Sequence, residues 1–283
     1  MNYYIAIYNI SCKFIIQTYK NELQMKRITT LLLLLFTISI WAQEGTIVTM
    51  HAVLVEGDTE AFETVQTKYY QKVAQAAAND GDIAAWNFLK AVRLDGINDE
   101  EEYNYMFVQG NLSIEATLSS KNAFWNNAEK VLSKKEFNEL QELQTKFTWK
   151  KDVRVMYRID SGLWMVSSAD DYVNSIIQFN FARPANSAAF LQENKELWKP
   201  FFQENGSKMN MISWGTGQKI HPTGADWAAV MSWDMFSSLE DLFNYRLGDG
   251  INWPADQSNM AEINPDGFYQ VATWQWLTGT SSN

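Results

Sequence analysis

An aromatic spacing recurs along the chain and limits the folds open to it. Phe62, Tyr70, Val73 and Trp86 are matched by Phe190, Trp198, Phe201 and Trp214, each 128 residues later. Tyr103 and Phe107 are matched by Trp227 and Met231 at an offset of 124, and Val155, Tyr157, Ile159 and Gly162 by Ala272, Trp274, Trp276 and Gly279 at 117. The offset shrinks while the order holds, as it does when a duplicated unit carries loops of unequal length. A repeat of this period fixes the architecture as two copies of one supersecondary unit, so it is read before any single element.

The unit can be spelled out from periodicity. Thr46–Val55 is β-branched with partial alternation and predicts a strand. Phe62, Val65, Tyr69, Val73 and Ala76 form one stripe at helical spacing, and Asn79-Asp80-Gly81-Asp82 ends it in a turn. Ile83–Val92 and Tyr103–Leu112 predict two more strands around a turn at Asp95–Asp99. A long helical pattern over 122–147 follows, then a strand over Asp152–Ile159. The order is β-α-β-β-α-β. In the second copy, strands are predicted at Tyr172–Phe181, Met209–Ile220, Asp226–Phe236 and Phe268–Leu277, with helices at Phe190–Phe202 and Leu239–Leu247. Pro200 lies within the first of these helices and should kink or split it.

A split β-α-β, doubled, is the ferredoxin-like unit, an antiparallel sheet with helices on one face. Its other face here carries Trp and Tyr at alternate positions. Burial of a large aromatic side chain contributes about 2–3 kcal/mol, so that face must be covered. Two copies in one chain can cover each other. Element order, copy length and aromatic strands over residues 46–279 make the chain resemble the dimeric α+β barrel superfamily in its tandem form. The fold class expected is α+β: two ferredoxin-like units, 43–164 and 165–283, with antiparallel sheets packed face to face as a pseudo-dimeric barrel. The resemblance implies a range of activities: cofactor-free monooxygenases, haem-binding enzymes, muconolactone-isomerase-like enzymes and proteins with no known activity. Fold does not choose among them.

The start of the chain reads as a leader set inward from residue 1. Lys26 and Arg27 precede an apolar run from Ile28 to Ile40, and Trp41-Ala42-Gln43 offers a cleavage point. That is the three-part pattern of a signal peptide over 25–42, too short to span a bilayer comfortably. Translation is expected to begin at Met25, with residues 1–24 an over-extended start, and the protein to be exported to a periplasm or the medium. Cys12, the single cysteine, lies in that leading segment. The mature chain would then have no disulfide, thiol nucleophile or Cys-zinc site.

Residues 1–42 hold four Lys/Arg and one Glu, which leaves 19 basic and 32 acidic residues in 43–283, a net charge of −13. Nucleic acid and stable membrane insertion are not expected partners, since nucleic acids and anionic membrane surfaces favour a basic footprint. P-loop, G-x-G-x-x-G, G-x-S-x-G, H-E-x-x-H and EF-hand patterns are all absent from the sequence. No metal and no cofactor is expected.

Of the two histidines, His51 and His221, His51 lies within a strand and is the candidate catalytic base, or an axial haem ligand, if it faces a barrel pocket. Its alternative is a hydrogen-bonded structural role. Trp86, Tyr157, Trp214, Trp233 and Trp274 are the candidate ligand-binding residues, lining an apolar pocket between the sheets with Arg154, Arg158 or His51 as polar contact, or else filling the core. The leading expectation is an exported barrel protein that binds a small apolar or aromatic ligand. The alternatives are a cofactor-independent monooxygenase- or isomerase-like enzyme using a pocket His or carboxylate, and a protein-interaction module of the cell envelope. Whether it is an enzyme, and its oligomeric state, stay open.

Overall fold

The computed structural model describes residues 44–93, 102–166, 169–224, 227–248 and 250–281. The leader, the start at Met25, Cys12 and the turn at Asp95–Asp99 lie outside the described residues. Among the described residues there are eight strands: β1 (Ile47–Gly57), β2 (Ala85–Ala91), β3 (Tyr105–Asn111), β4 (Phe147–Trp164), β5 (Ile176–Ala182), β6 (Met211–His221), β7 (Val230–Phe236) and β8 (Phe268–Ser281). They close into one barrel in the order β1-β3-β2-β8-β5-β7-β6-β4. Each half is an antiparallel four-stranded sheet with its first strand inside, β4-β1-β3-β2 and β8-β5-β7-β6. The halves face each other and are also joined at both edges, β2 to β8 and β4 to β6, antiparallel in each case. Among the described residues closure leaves no unpaired strand edge, which removes the main route to edge-to-edge aggregation of these strands.

Period-2 alternation sorts each strand's side chains between the barrel interior and an outer face under helices. The interior holds Met50, Val108, Tyr157, Phe179, Trp233, Trp274 and Trp276, drawn from both halves in one apolar cluster. Trp233 is fully buried there, and its indole Nε1–H donates to Ser213 Oγ at 2.9 Å. A Cβ at Gly215 would fall within the Trp233 ring, so the backbone of β6 can pass only as glycine. The outer face of the first half packs Phe62, Val65, Tyr69, Trp86, Phe88 and Phe107. That of the second packs Phe202, Met211, Trp214, Phe236 and Leu242.

The helix after the first strand of each half is broken by a π turn at the same place. Thr59–Thr64, capped by Asp58 Oδ1 accepting from the Ala61 N–H at 2.9 Å, runs into a π segment Val65–Tyr70 and then Gln71–Asn79. Ser187–Glu193, capped by Asn186, runs into a π segment Asn194–Trp198 and then Lys199–Asn205. Pro200 sits in the first turn of the last piece, directly after the π segment. The split expected at Pro200 is present, but the first half has the same break without a proline.

Several elements differ from the sequence reading: Tyr172 ends a 3₁₀ turn and β5 begins only at Ile176, and β7 begins at Val230 rather than Asp226. The helix expected over 122–147 is in pieces: Phe124–Asn127 (3₁₀), Ala128–Val131 and Lys134–Gln144. Leu132 is extended, and Ser133 starts a new helix by a capping box with Glu136. β4 spans Phe147–Trp164 rather than Asp152–Ile159, because its polar start, Phe147–Lys151, pairs with the end of β1. Among the described residues no helix is long and apolar enough to cross a membrane.

Candidate functional site

Each half has a cavity between the outer face of its sheet and its helices, and the two occupy equivalent places. On β1 and β3, His51 lies opposite Phe107 and Thr49 opposite Gln109. On β5 and β7, Asn180 lies opposite Ser232 and Gln178 opposite Asp234. Trp86 pairs with Gln109 as Trp214 pairs with Asp234. The π turns supply Gln66 and Tyr70 to one cavity and Asn194 and Trp198 to the other. His51, Gln66, Tyr70, Trp86, Phe107 and Gln109 line the first cavity, and Asn180, Asn194, Trp198, Trp214, Ser232 and Asp234 the second. Extra backbone turns of π type often mark functional sites.

The first cavity is about 350 Å³. Its walls are rings: Trp86 stacks on Phe107 (centroids 6.0 Å, 24°), and Phe107 on Trp149 (6.0 Å, 16°). His51 leans against Phe107 and Trp149 at 5.8 and 5.4 Å. Its side chain is only 13% exposed, and Nε2 lies 2.8 Å from Asp152 Oδ2. A carboxylate only accepts, so Nε2 carries the proton and Nδ1 keeps its lone pair. Burial, helped by the nearby Arg154 charge, holds the imidazole below its ordinary pKa, against the opposing pull of Asp152. His51 is therefore a neutral imidazole, oriented by a carboxylate, at the wall of an aromatic cavity. Gln66, Gln109, Asn122 and Arg154 are among the polar groups on the same lining. Such a site can accept a proton or a hydrogen bond from a flat ligand.

The second cavity, about 420 Å³, has the acid Asp234 where the first has Gln109. Asp234 is 4% exposed, and Oδ2 accepts from Asn180 Nδ2 at 2.7 Å and Gln178 Nε2 at 3.2 Å. Burial pushes its carboxyl up to about 6, with the amide bonds and the Arg246 charge opposing. A further cavity of about 620 Å³ also reaches Asp234, shares Asn180, Tyr245 and Phe268 with the second, and is lined by Arg246, whose Nε donates to Gln178 Oε1 at 2.8 Å. Among the described residues no set of three or more His, Cys, Asp or Glu side chains converges as a metal site would.

The residues picked from sequence are distributed by this geometry. His51 and Trp86 meet in the first cavity. His51 faces outward under the helices rather than into the barrel. Trp214 lines the second cavity. Tyr157, Trp233 and Trp274 belong to the barrel interior, and Trp274 also reaches the 620 Å³ cavity. Arg154 joins His51, while Arg158 is exposed four residues along the same strand. Phe107, Gln109, Trp149, Asn180 and Asp234 were not foreseen as site residues. Gln66 and Asn194 stand 128 apart, the offset that relates Trp86 to Trp214, so the repeat itself could have flagged them.

No protein-family model and no curated protein sequence matches the chain. Solved structures do. A candidate monooxygenase from Fusobacterium nucleatum subsp. nucleatum superposes with a TM-score of 0.54 at 10% identity, over 85% of this chain and 96% of that one. An anthrone oxidase-like protein gives 0.48 at 11% identity, over 86% and 96%. A cyanide-bound chlorite dismutase variant from Candidatus Nitrospira defluvii gives 0.41 at 12%, over 83% and 91%. The likeness to the first is one of fold, and the fold it shares with this chain is the tandem dimeric α+β barrel.

Proposed function

We propose that the protein binds a small flat aromatic ligand in the outer-face cavity of the first half, with the ligand's hydroxyl or acidic proton directed at His51. The observation that carries this is the neutral His51 imidazole, held by Asp152 and set among Trp86, Phe107 and Trp149. Stacked rings recognise a flat apolar body with little polarity of their own. His51 and the amides of Gln66 and Gln109 supply the orienting contacts. The leader pattern supports an exported location for this binding activity, and N-terminal sequencing of the secreted form tests that part. The ligand test is calorimetric titration with 2-naphthol and with 2-methoxynaphthalene, which lacks the donor. Saturable binding of 2-naphthol, weakened by Trp125→Ala at the cavity wall, is expected. Absence of saturable heat, or indifference to Trp125→Ala, rejects the site.

The His51–Asp152 pair favours a second reading, that of a cofactor-independent enzyme. An oriented imidazole with a free nitrogen lone pair can remove a proton from an enolisable carbon next to a ring, leaving an enolate and an imidazolium. Solvent-deuterium exchange into 2-tetralone, followed by NMR, tests this. Exchange that disappears in His51→Gln supports catalysis. Exchange no faster than in buffer leaves binding as the function.

A further inference from the structure

The second cavity shares its place in the fold with the first but not its chemistry. The ladder position of Gln109 is taken by Asp234, and that of His51 by Asn180. The first cavity has Arg154 on its lining; among the described residues no lysine or arginine lines the second. The charged group there is a buried carboxylate surrounded by aromatic rings. Trp214 lies across the ladder from Asp234. Phe202 is 5.2 Å from Trp214 and Trp253 is 5.5 Å from Tyr245 between centroids, while Trp198 is 6.4 Å from Trp253. All five rings line the same space as Asp234.

We infer that this second cavity is a binding site for a small alkylammonium cation. Ring faces carry negative potential and attract a cation most strongly where water is excluded. The Asp234 carboxylate supplies the opposite charge. Its Oδ2 is used by Asn180 and Gln178, and among the described residues no bond is made to Oδ1, so that oxygen is left for a ligand. The neighbouring 620 Å³ cavity meets Asp234 on the side where Arg246 stands, and its guanidinium excludes a cation there. The aromatic side is the one that accepts it. A cation also offsets a burial cost that the two amide bonds and the Arg246 charge do not fully compensate. This site is independent of the one at His51, and either can be absent without the other.

The test is calorimetric titration of the mature protein with choline and with 3,3-dimethylbutan-1-ol, its neutral isostere. Choline is expected to bind at least about tenfold more tightly, as desolvated cation–π and charge contacts require. Asp234→Asn is expected to weaken choline binding and leave the alcohol unchanged, so that the preference narrows. Trp253→Leu, a change in a loop wall rather than the sheet, is expected to weaken choline about tenfold while the fold is held, as shown by unchanged far-ultraviolet circular dichroism. Equal affinity for choline and the alcohol overturns the inference. So does lack of choline binding, or choline affinity unaltered in a folded Asp234→Asn or Trp253→Leu variant. If Asp234→Asn does not fold, the Trp253→Leu result decides.

Discussion

Gln109 and Asp234 hold the same ladder position in the two halves, each directly across from a tryptophan, Trp86 and Trp214. One is a neutral amide and the other a buried acid. The duplication kept the architecture of the cavity, down to the π turn that delivers Gln66 and Asn194, and changed the groups that decide what enters it. Two sites of unlike charge on one barrel follow, and each can be examined alone.

Asp234 should make the protein less stable at neutral pH than at mildly acidic pH. Unfolded, its carboxyl ionises near the ordinary value, roughly 3.9. Folded, burial pushes it up to about 6. Between those values the folded chain keeps a proton the unfolded chain has lost, so this group's contribution to stability declines as pH rises from about 4 to about 6 and stays low above that. A shift of about two units corresponds to about 3 kcal/mol. Asp234→Asn keeps the shape and removes the charge. Urea unfolding followed by tryptophan fluorescence should show the variant more stable by about 2–3 kcal/mol at pH 7.5, with the gap closing towards pH 4. A gap of the same size at both pH values would mean that the carboxylate's charge is not what strains the site.

His51 has the opposite pH sense. Its imidazole is held below the ordinary histidine range, chiefly by burial. On acidification the unfolded chain takes up the proton first, so stability from this residue is present above about pH 6.5 and falls as pH drops through the window beneath it. Asp152 and Arg154 are the charged groups facing the ring, and they oppose each other. Protonation also removes the acceptor lone pair. Affinity for 2-naphthol should therefore decline on the acid side, while His51→Gln should bind several-fold more weakly at pH 8 and show a flat profile, the loss of one hydrogen bond being about 1 kcal/mol. An unchanged acid limb in His51→Gln would assign the titration to another group.

The two sites should fill independently. Their walls share no residue. Choline affinity measured in saturating 2-naphthol should equal that measured without it, within about twofold, as expected for sites with negligible coupling free energy. Competition between the two probes would place both in one cavity.

The repeat was legible because ring-bearing positions such as Trp86 and Trp214 hold equivalent core positions and must keep their size. Fold class and element order followed from it. The assignment of faces did not. Period 2 separates His51 from Met50 and Trp86 from Ala85, but which set looks inward depends on both halves closing, and a shift of one residue exchanges the faces. Hence the expected pocket between the sheets was placed where Tyr157, Trp233 and Trp274 pack together, and the cavities lie outside. The start of β4, Phe147–Lys151, has no clear alternation to announce a strand, since it is held largely by pairing with β1. Nothing local to Asp234 shows that it will be covered by the helix Leu239–Leu247 and the chain near Phe268.

The barrel interior gives the sharpest test of the fold itself. Gly215 on β6 faces the Trp233 ring so closely that an added Cβ would overlap it, and Ser161 on β4 closes the space behind. The ring cannot step aside, because its indole N–H is held by Ser213 and its surroundings are filled by interior side chains. Gly215→Ala must therefore shift the backbone of β6 or break the Trp233–Ser213 bond, at a cost of about 1–3 kcal/mol or more for overpacking a tight core. Gly224→Ala, at a position where a Cβ meets nothing within 4 Å, is the control and should stay within about 0.5 kcal/mol of the parent. Denaturant midpoints compare the two. Because Trp233 is a shared contact of both halves, the loss in Gly215→Ala should appear as one cooperative transition at lower urea. Separate melting of the two sheets would mean that the halves do not depend on a common interior.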